Sequence, residues 1–202
     1  MSSKANRILT SRMLLAIAAV VVFAADFYTK ILALRHLQPE GWRRVPVIPG
    51  LFDLLLARNQ GGAFSILDGR PMLIATFSIF AIAAILWWGL KLPRNVPSAH
   101  LAFGMLLGGA IGNLLDRFRY QAVIDFIHFY FVRNGKEYYW PTFNIADCGI
   151  VCGIGIFLYL SLFTKKLDAP SVAAVAREEP LPNADAGKSA EPLDRLPADV
   201  QP

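Results

Sequence analysis

The sequence predicts an α-helical integral membrane protein with four transmembrane helices, a small β element at the membrane surface and a disordered C-terminal tail. Hydrophobic residues make up 55% of its 202 residues and charged residues only 17%, whereas soluble domains contain roughly 25% charged residues. The apolar residues form continuous runs and do not alternate with polar ones, which favours helices over a transmembrane β-barrel. Two cysteines are too few for a disulfide scaffold.

Four runs are long and apolar enough to cross a bilayer as helices, for which about 20 mostly apolar residues are needed. They are Met13 to about Leu34, Pro71–Leu90, Pro97–Leu115 and Trp140–Thr164. The first run also has features of a cleavable signal peptide, because basic residues precede it and small residues follow it. Since three further apolar runs follow, we expect the first to remain as an uncleaved span.

An even number of spans places both termini on one side of the membrane. We expect that side to be the cytoplasm, because basic residues stand directly beside the span ends there. The opposite side has more of them, since ten basic residues occur in the segments 30–70 and 117–136. We attribute these ten residues to folded loops that use their charges.

The chain divides by charge near residue 166. Residues 1–166 hold 17 basic and 8 acidic side chains, whereas residues 167–202 hold 3 and 7. The basic residues lie between apolar runs and not on one face, which argues against a nucleic-acid partner. The tail lacks aromatic residues and is rich in alanine and proline, so we expect 1–166 to form the membrane domain and 167–202 to be disordered.

Two loops are too rich in apolar residues to be simple connections. Residues 35–70 contain short β-prone pieces around Pro49 and Gly50, which predicts a small hairpin at the membrane surface. Residues 118–140 contain nine aromatic residues, a composition typical of the lipid headgroup region. We therefore expect both loops to lie against the membrane.

Acidic residues near the outer ends of the spans are the main functional candidates. Asp26, Asp116, Asp125 and Asp147 lie at or near the ends of the first, third and fourth runs. An ionisable group at membrane depth is energetically costly, so each of these residues is a functional candidate. Each residue taken alone could be an interfacial carboxylate in contact with water or a basic neighbour. Four carboxylates at the same level of the membrane favour a common site.

Helical spacing places amides beside these acids. Asn113, Asp116 and Arg117 are three and four residues apart and share a helix face, and Asn144 and Asp147 are three apart. An asparagine amide can donate to a carboxylate or hold a substrate carbonyl. Both segments therefore combine an acid with a hydrogen-bonding side chain.

Two of the acids are the better pair for acid–base chemistry. Arg117 could pair with the adjacent Asp116, which would make Asp116 a positioning residue. Asp125 and Asp147 lack an adjacent basic residue in the sequence. Two close carboxylates retain one proton between them, so that one can activate water and the other can polarise a peptide carbonyl.

Other catalytic chemistries have little support in the sequence. No serine or threonine forms a recognisable pattern with a histidine, and the nucleophile-elbow motif is absent. Cys148 and Cys152 are four residues apart in an apolar run, where small packing residues are the simplest interpretation. The three histidines show no ligand spacing, and we expect no metal site.

Glycines form two kinds of pattern. Residues 104–112 place glycines four apart within an apolar run, which favours close helix packing. Residues 59–64 (Asn-Gln-Gly-Gly-Ala-Phe) lie in a polar break, where Gly61 and Gly62 allow a tight turn or a close approach to a ligand. This segment is either an ordinary loop or a substrate-binding loop in which Asn59 forms the hydrogen bonds.

Taken in order, four short blocks resemble the lipoprotein signal peptidase family, also called signal peptidase II. The blocks are Asp26-Phe-Tyr-Thr-Lys30, which is similar to D-x-x-S/T-K; Asn59-Gln-Gly-Gly-Ala-Phe64, similar to N-x-G-A/G-A-F; Gly112-Asn-Leu-Leu-Asp-Arg117 followed by Val123-Ile-Asp-Phe126, similar to G-N-x-x-D-R and V-x-D-F; and Phe143-Asn-Ile-Ala-Asp147, similar to F-N-x-A-D. Each block alone is unspecific, but four in this order within a four-span pattern are highly specific. The resemblance covers most of residues 20–165.

The resemblance implies a bacterial inner-membrane aspartic endopeptidase that cleaves a prolipoprotein just before its diacylglyceryl-modified cysteine. It implies four transmembrane helices, a periplasmic β-cradle and an active site that faces the periplasm. Asp125 and Asp147 would be the catalytic dyad. The substrate-binding or supporting residues would be Asp26, Lys30, Asn59, Gly61, Gly62, Asn113, Asp116, Arg117 and Asn144.

The resemblance also implies the partners of the protein. These would be the lipid-modified prolipoprotein, membrane lipids and the cyclic peptide inhibitor globomycin, with no metal or organic cofactor. One chain contains all the required groups, so we expect a monomer.

Two alternatives remain open from the residues alone. A proton-coupled carrier would also place acids within spans, although usually near the midplane and often with internal repeats, and we find no repeat. A non-catalytic four-span assembly factor could use the aromatic loop as a partner surface. Only the peptidase requires both Asp125 and Asp147 for hydrolysis.

Overall fold

The computed structural model describes residues 3–38, 44–61, 69–93 and 95–163, with side chains from residue 11 onwards. The predicted tail, 167–202, lies outside these ranges. Four helices are present: α1 (Ser3–Leu37), α2 (Pro71–Lys91), α3 (Pro97–Tyr120) and α4 (Ile145–Phe163). Each contains a stretch long and apolar enough to cross a membrane, which confirms the four predicted spans.

Two of the predicted helix boundaries are wrong. The third helix continues beyond Leu115 to Tyr120, because Asp116 and Arg117 are buried in polar contacts and do not end the helix. It ends where Gln121 adopts a left-handed conformation with φ 55° and bonds to the carbonyl of Arg117. The fourth helix begins at Ile145 and not at Trp140, since residues 140–144 are not helical and Phe143 bridges to β3 instead.

The loops between the helices combine into one antiparallel sheet. Its strands are β1 (Arg44–Ile48), β2 (Phe52–Asn59), β3 (Val123–Arg133) and β4 (Lys136–Tyr139), in the order β1-β2-β3-β4. The first two form the predicted hairpin. The aromatic segment 118–140 is more than an interfacial loop, because it supplies the other two strands.

The sheet lies at one end of the helix bundle. β3 follows the end of α3 directly, and β4 leads through an extended segment into α4. Phe143 in that segment bonds to Ile127 of β3 and so ties it to the sheet. On the other side, β2 pairs with β3 so that Ala57 lies opposite Asp125. The sheet therefore fixes both chain segments that approach the start of α4.

α3 is the central helix of the bundle. Half of the residues in its most apolar 18-residue stretch are buried within the protein, compared with 11% for α2. The exposed side chains of α2 suit contact with lipid. The glycines of α3 allow this central position. A side chain at Gly108 would overlap the Ala19 carbonyl of α1, and one at Gly109 would overlap the Ala146 carbonyl of α4. This close contact confirms the predicted role of the 104–112 pattern.

Replacing Gly108 with alanine should therefore destabilise the protein. The added methyl group forces α1 and α3 apart, at an expected loss of about 1–3 kcal/mol in the free energy of unfolding. Thermal unfolding in detergent measures the effect. Gly155→Ala in α4 is the matched control, because nothing lies within 4 Å of the added methyl group. Equal melting temperatures for the two variants would contradict the packing argument.

Candidate active site

A buried lysine lies at the centre of the site. The Lys30 ammonium nitrogen is 2.7 Å from an oxygen of Asp26 and 2.8 Å from an oxygen of Asp116. It also donates to the Asn113 side-chain carbonyl at 3.0 Å. All four residues are buried. The ammonium thus uses its three donors on partners from two helices, α1 and α3.

The two acids that contact this lysine also hold the beginnings of α4 and β3. An oxygen of Asp26 accepts the backbone N–H of Ala146 at 2.9 Å, in the first turn of α4. An oxygen of Asp116 accepts the backbone N–H of Ile124 at 3.1 Å, near the start of β3. In each case the next residue along the chain is one of the two predicted catalytic acids. The lysine network therefore sets where those acids lie.

Three asparagine side chains donate to that pair. The Asp125 oxygens accept from Asn144 at 2.7 Å and from Asn59 at 3.1 Å. The Asp147 carboxylate accepts from the Asn113 side chain at 2.8 Å and from the backbone N–H of Asn144 at 3.1 Å. From the sequence, an asparagine amide could either donate to a carboxylate or hold a substrate carbonyl. The structure shows the first of these contacts. These donors fix the orientation of both acids.

The environment of Asp125 favours a retained proton. Its side chain is 1% exposed on β3, outside the membrane-spanning segments. Burial raises the pKa of this carboxyl group to about 7, and the nearby Asp147 acts in the same direction. The amides of Asn59 and Asn144 oppose the shift, because they stabilise the charged form. Near neutral pH, the pair can therefore hold a proton and a negative charge together.

The predicted ion pair between Arg117 and Asp116 is wrong. Among the described residues, the ion partner of Asp116 is Lys30, whereas the Arg117 guanidinium donates to the backbone carbonyl of Asn113 at 3.1 Å. Adjacent helical residues do not face each other, which explains the difference. The positive charge of Arg117 still interacts with Asp116, Asp125 and Asp147. Asp116 keeps a positioning role, but through the lysine.

A cavity of about 1300 Å³ opens beside the pair, between the sheet and α4. Asn59, Gly61, Arg117 and Asp147 are among its lining residues. Its α4 wall is largely apolar, whereas its sheet wall includes charged and aromatic side chains. Within the described ranges, no group of three or more His, Cys, Asp or Glu residues is placed to hold a metal ion.

The structure places ten of the eleven predicted site residues in the lysine network, beside the acid pair or in the cavity wall. The eleventh, Gly62, lies outside the described residues. The cavity wall also contains residues to which no role was assigned from the sequence. Arg44, His128 and Glu137 line the cavity and join Asp53 in a second polar cluster on the sheet. The one sequence signal for this cluster is Asp53, a charged residue within the otherwise apolar strand β2.

The fold and the site together define a four-span membrane protein with a carboxylate pair, one member buried and the other half-buried, beside a cavity. Residues 18–163 match the family model described as signal peptidase (SPase) II. The chain therefore belongs to the signal peptidase II family, a family of proteases. Membership of a protease family gives no support to the carrier and assembly-factor alternatives.

Several relatives are similar over most of the chain. A lipoprotein signal peptidase of Nitratidesulfovibrio vulgaris is 44% identical over 73% of this chain and 86% of its own length. One from Syntrophotalea carbinolica is 40% identical over 73% of this chain and 89% of its own length. A solved bacterial membrane enzyme structure, obtained by the in meso method at 2.3 Å, is 27% identical with a TM-score of 0.61. It covers 76% of this chain and 92% of that chain.

Replacing Lys30 with methionine should destabilise the fold and abolish activity. The change leaves Asp26 and Asp116 buried without their cation, for which we expect a loss of about 3–5 kcal/mol in the free energy of unfolding. Thermal unfolding and protease activity in detergent measure the two effects. Lys91→Met is the control, because Lys91 is exposed at the end of α2. A stable and active Lys30 variant would contradict the central role of this ammonium group.

Proposed function

We propose that the protein is an aspartic endopeptidase that removes the signal peptide from bacterial prolipoproteins. The bond hydrolysed would be the one before the diacylglyceryl-modified cysteine. The observation that carries the proposal is the pair of buried Asp125 and half-buried Asp147, both held by amides beside the cavity. The names of the similar proteins supply the substrate class.

In the proposed reaction the two carboxyl groups act as one unit with a single shared proton. The charged group takes a proton from a water molecule, whose oxygen attacks the carbonyl carbon of the scissile peptide bond. The protonated group donates to the carbonyl oxygen, and a tetrahedral diol forms. Proton transfer to the peptide nitrogen then breaks the carbon–nitrogen bond. The products are a carboxylate on the signal peptide and an amine on the lipid-modified cysteine.

The cavity suits a substrate that is partly in lipid. The apolar α4 wall, which includes Ile150 and Val151, would contact acyl chains or the signal helix. Asn59 and Gly61 line the cavity near the acids and are available to contact the peptide backbone. Arg117 would interact with the negative charge that develops on the carbonyl oxygen.

The proposal includes a definite cellular arrangement. The protein would reside in the inner membrane, with both termini in the cytoplasm and the sheet end at the periplasmic surface. It would act as a monomer among membrane lipids, without a metal or organic cofactor. Globomycin, as a cyclic peptide, would inhibit it by occupying the same cavity.

A cleavage assay tests the function directly. Purified protein in detergent receives a diacylglyceryl-modified prolipoprotein, and mass spectrometry determines the new N-terminus of the product. The unmodified precursor serves as the control for lipid dependence. Cleavage directly before the modified cysteine is the expected result. A folded protein that leaves the modified substrate intact would overturn the proposal.

Asp125→Asn and Asp147→Asn should each reduce cleavage by at least about a thousandfold, because either change removes one partner of the proton pair. Both variants should still insert into the membrane, which can be checked by membrane fractionation. Asp185→Asn is the matched control, since this residue lies beyond the part that matches the family. Substantial residual cleavage by either variant would reject the dyad.

Activity should decline on the alkaline side of neutrality. The pKa of Asp125 is about 7, so raising the pH above this value removes the proton that the pair needs. We expect kcat/KM to fall by about tenfold per pH unit well above the pKa, because this ratio reports the protonation of the free enzyme. Initial rates at substrate concentrations well below KM, between pH 6 and roughly pH 9, measure this limb. A rate that stays constant across the range would show that no such proton takes part.

A further inference from the structure

The hairpin of β3 and β4 extends beyond the rest of the sheet. The register of β2 with β3 ends at Phe129, and the strand residues after it pair with β4. The chain reverses at Asn134 and Gly135, which both have positive φ, as tight hairpin turns require. Every residue from 131 to 140 is exposed. The turn and the residues beside it do not line the cavity, so the cavity does not account for their composition.

The two faces of this hairpin differ in chemistry. Directly paired residues of antiparallel strands share a face, and so do residues two apart along a strand. Phe131 pairs with Tyr138. Arg133 pairs with Lys136, so these four residues lie on one face, here called the basic aromatic face. The opposite face carries Glu137, which belongs to the polar cluster of the cavity wall. The basic aromatic face is therefore separate from that cluster.

The rings of this face are packed together and remain accessible. Phe131 is 55% exposed and Tyr138 43%, and their rings stack with a centroid distance of 5.3 Å. Trp140 is 68% exposed and continues the strand pairing, because its backbone N–H bonds to Phe129. Since it follows Tyr138 by two residues, Trp140 extends the same face. Contiguous exposed rings of this kind mark a surface that contacts a partner or a membrane.

Two cations lie beside these rings. Arg133 and Lys136 are exposed, and neither forms an ion pair within the part of the chain that the structure describes. Glu137, the adjacent acid, lies on the other face and binds Arg44 at 3.0 Å. The Lys136 ammonium is 5.4 Å from the centre of the Tyr138 ring. The basic aromatic face thus presents two positive charges without a protein counterion among the described residues.

The base of the hairpin lies close to the membrane-spanning helices. β3 begins three residues after the end of α3, and Trp140 precedes Ile145, the first residue of α4, by five. Between them, Phe143 stacks on Phe129 at 6.1 Å, on the side of β3 that also carries Phe131. The face is therefore continuous with the segment that leads into a span. Aromatic rings combined with cations are typical of protein surfaces at the lipid headgroups.

We propose that the basic aromatic face binds the headgroups of anionic phospholipids. The rings of Phe131, Tyr138 and Trp140 enter the headgroup layer. The side chains of Arg133 and Lys136 bind the headgroup phosphates. A zwitterionic lipid is sufficient for the rings, whereas two cations without a counterion favour a lipid with net negative charge. The proposal goes beyond the proposed function and does not depend on it, because it concerns lipid binding and not hydrolysis.

The fluorescence of Trp140 tests this contact without an activity assay. The full chain contains four tryptophans, and replacing Trp42, Trp87 and Trp88 with phenylalanine leaves Trp140 alone. This parent protein is placed in phosphatidylcholine vesicles with a small fraction of brominated lipid, which quenches nearby tryptophan. The brominated lipid is anionic phosphatidylglycerol in one sample and an equal amount of phosphatidylcholine in the other. We expect the effective quencher concentration at Trp140 to be at least about fivefold higher for the anionic lipid, because basic residues attract it.

Two variants of the parent protein separate the cations from the rings. Arg133→Gln combined with Lys136→Gln should abolish the preference for the anionic lipid but keep the quenching by brominated phosphatidylcholine. Phe131→Gln should weaken the quenching by both lipids. Lys91→Gln is the matched control, because this exposed lysine is separated from the sheet by the length of α3. It should keep the parent preference, and circular dichroism shows whether each variant is folded. About 1 M salt should reduce the preference of the parent by screening the two charges.

Each outcome supports or overturns the inference. A preference that is lost in the double glutamine variant and kept in the Lys91 control would establish the contact. Equal quenching by the two lipids, or a preference that survives the double substitution, would overturn the role of the cations. A Trp140 that is quenched by neither lipid and is open to aqueous acrylamide would show that the face lies in water. Protection from lipid and acrylamide together, rising with the number of proteins per vesicle, would assign the face to a second copy of the chain.

Discussion

The Lys30 ammonium is the contact on which the rest of the site depends. A cation in the interior of a membrane protein is stable only when several partners replace its hydration. Here Asp26 and Asp116 supply two charges and Asn113 a carbonyl. Because the same two acids also accept backbone N–H groups of α4 and β3, one ion network determines where both elements begin. The geometry of the acid pair thus depends on contacts between α1 and α3.

The charges around the network also affect the protonation of the pair. Lys30 and Arg117 supply two positive charges, and Asp26 and Asp116 already balance them. If Asp125 and Asp147 were both ionised, two negative charges would remain in a buried site, which is unfavourable. Retaining one proton reduces the excess to a single charge. The network therefore supports a shared proton near neutral pH.

The sequence could predict the parts that depend on local patterns. The apolar runs identified all four spans, and the Pro49–Gly50 turn identified the first hairpin. It could not predict that α3 continues to Tyr120, because the contacts that neutralise its charges come from other helices. The pairing of Asp53 with His128 joins residues 75 positions apart and depends on strand register. Such long-range contacts leave no periodic signal in the sequence.

The division between helices and sheet explains why the site lies where it does. The helices can present apolar side chains to lipid, but they have no free backbone groups with which to bind a peptide. A sheet at the end of the bundle supplies polar side chains and strand edges where the apolar spans end. β3 joins both regions, since its first residues complete the ion network and its later residues form the polar cavity wall. A substrate that is part lipid and part peptide can contact both regions only at that junction.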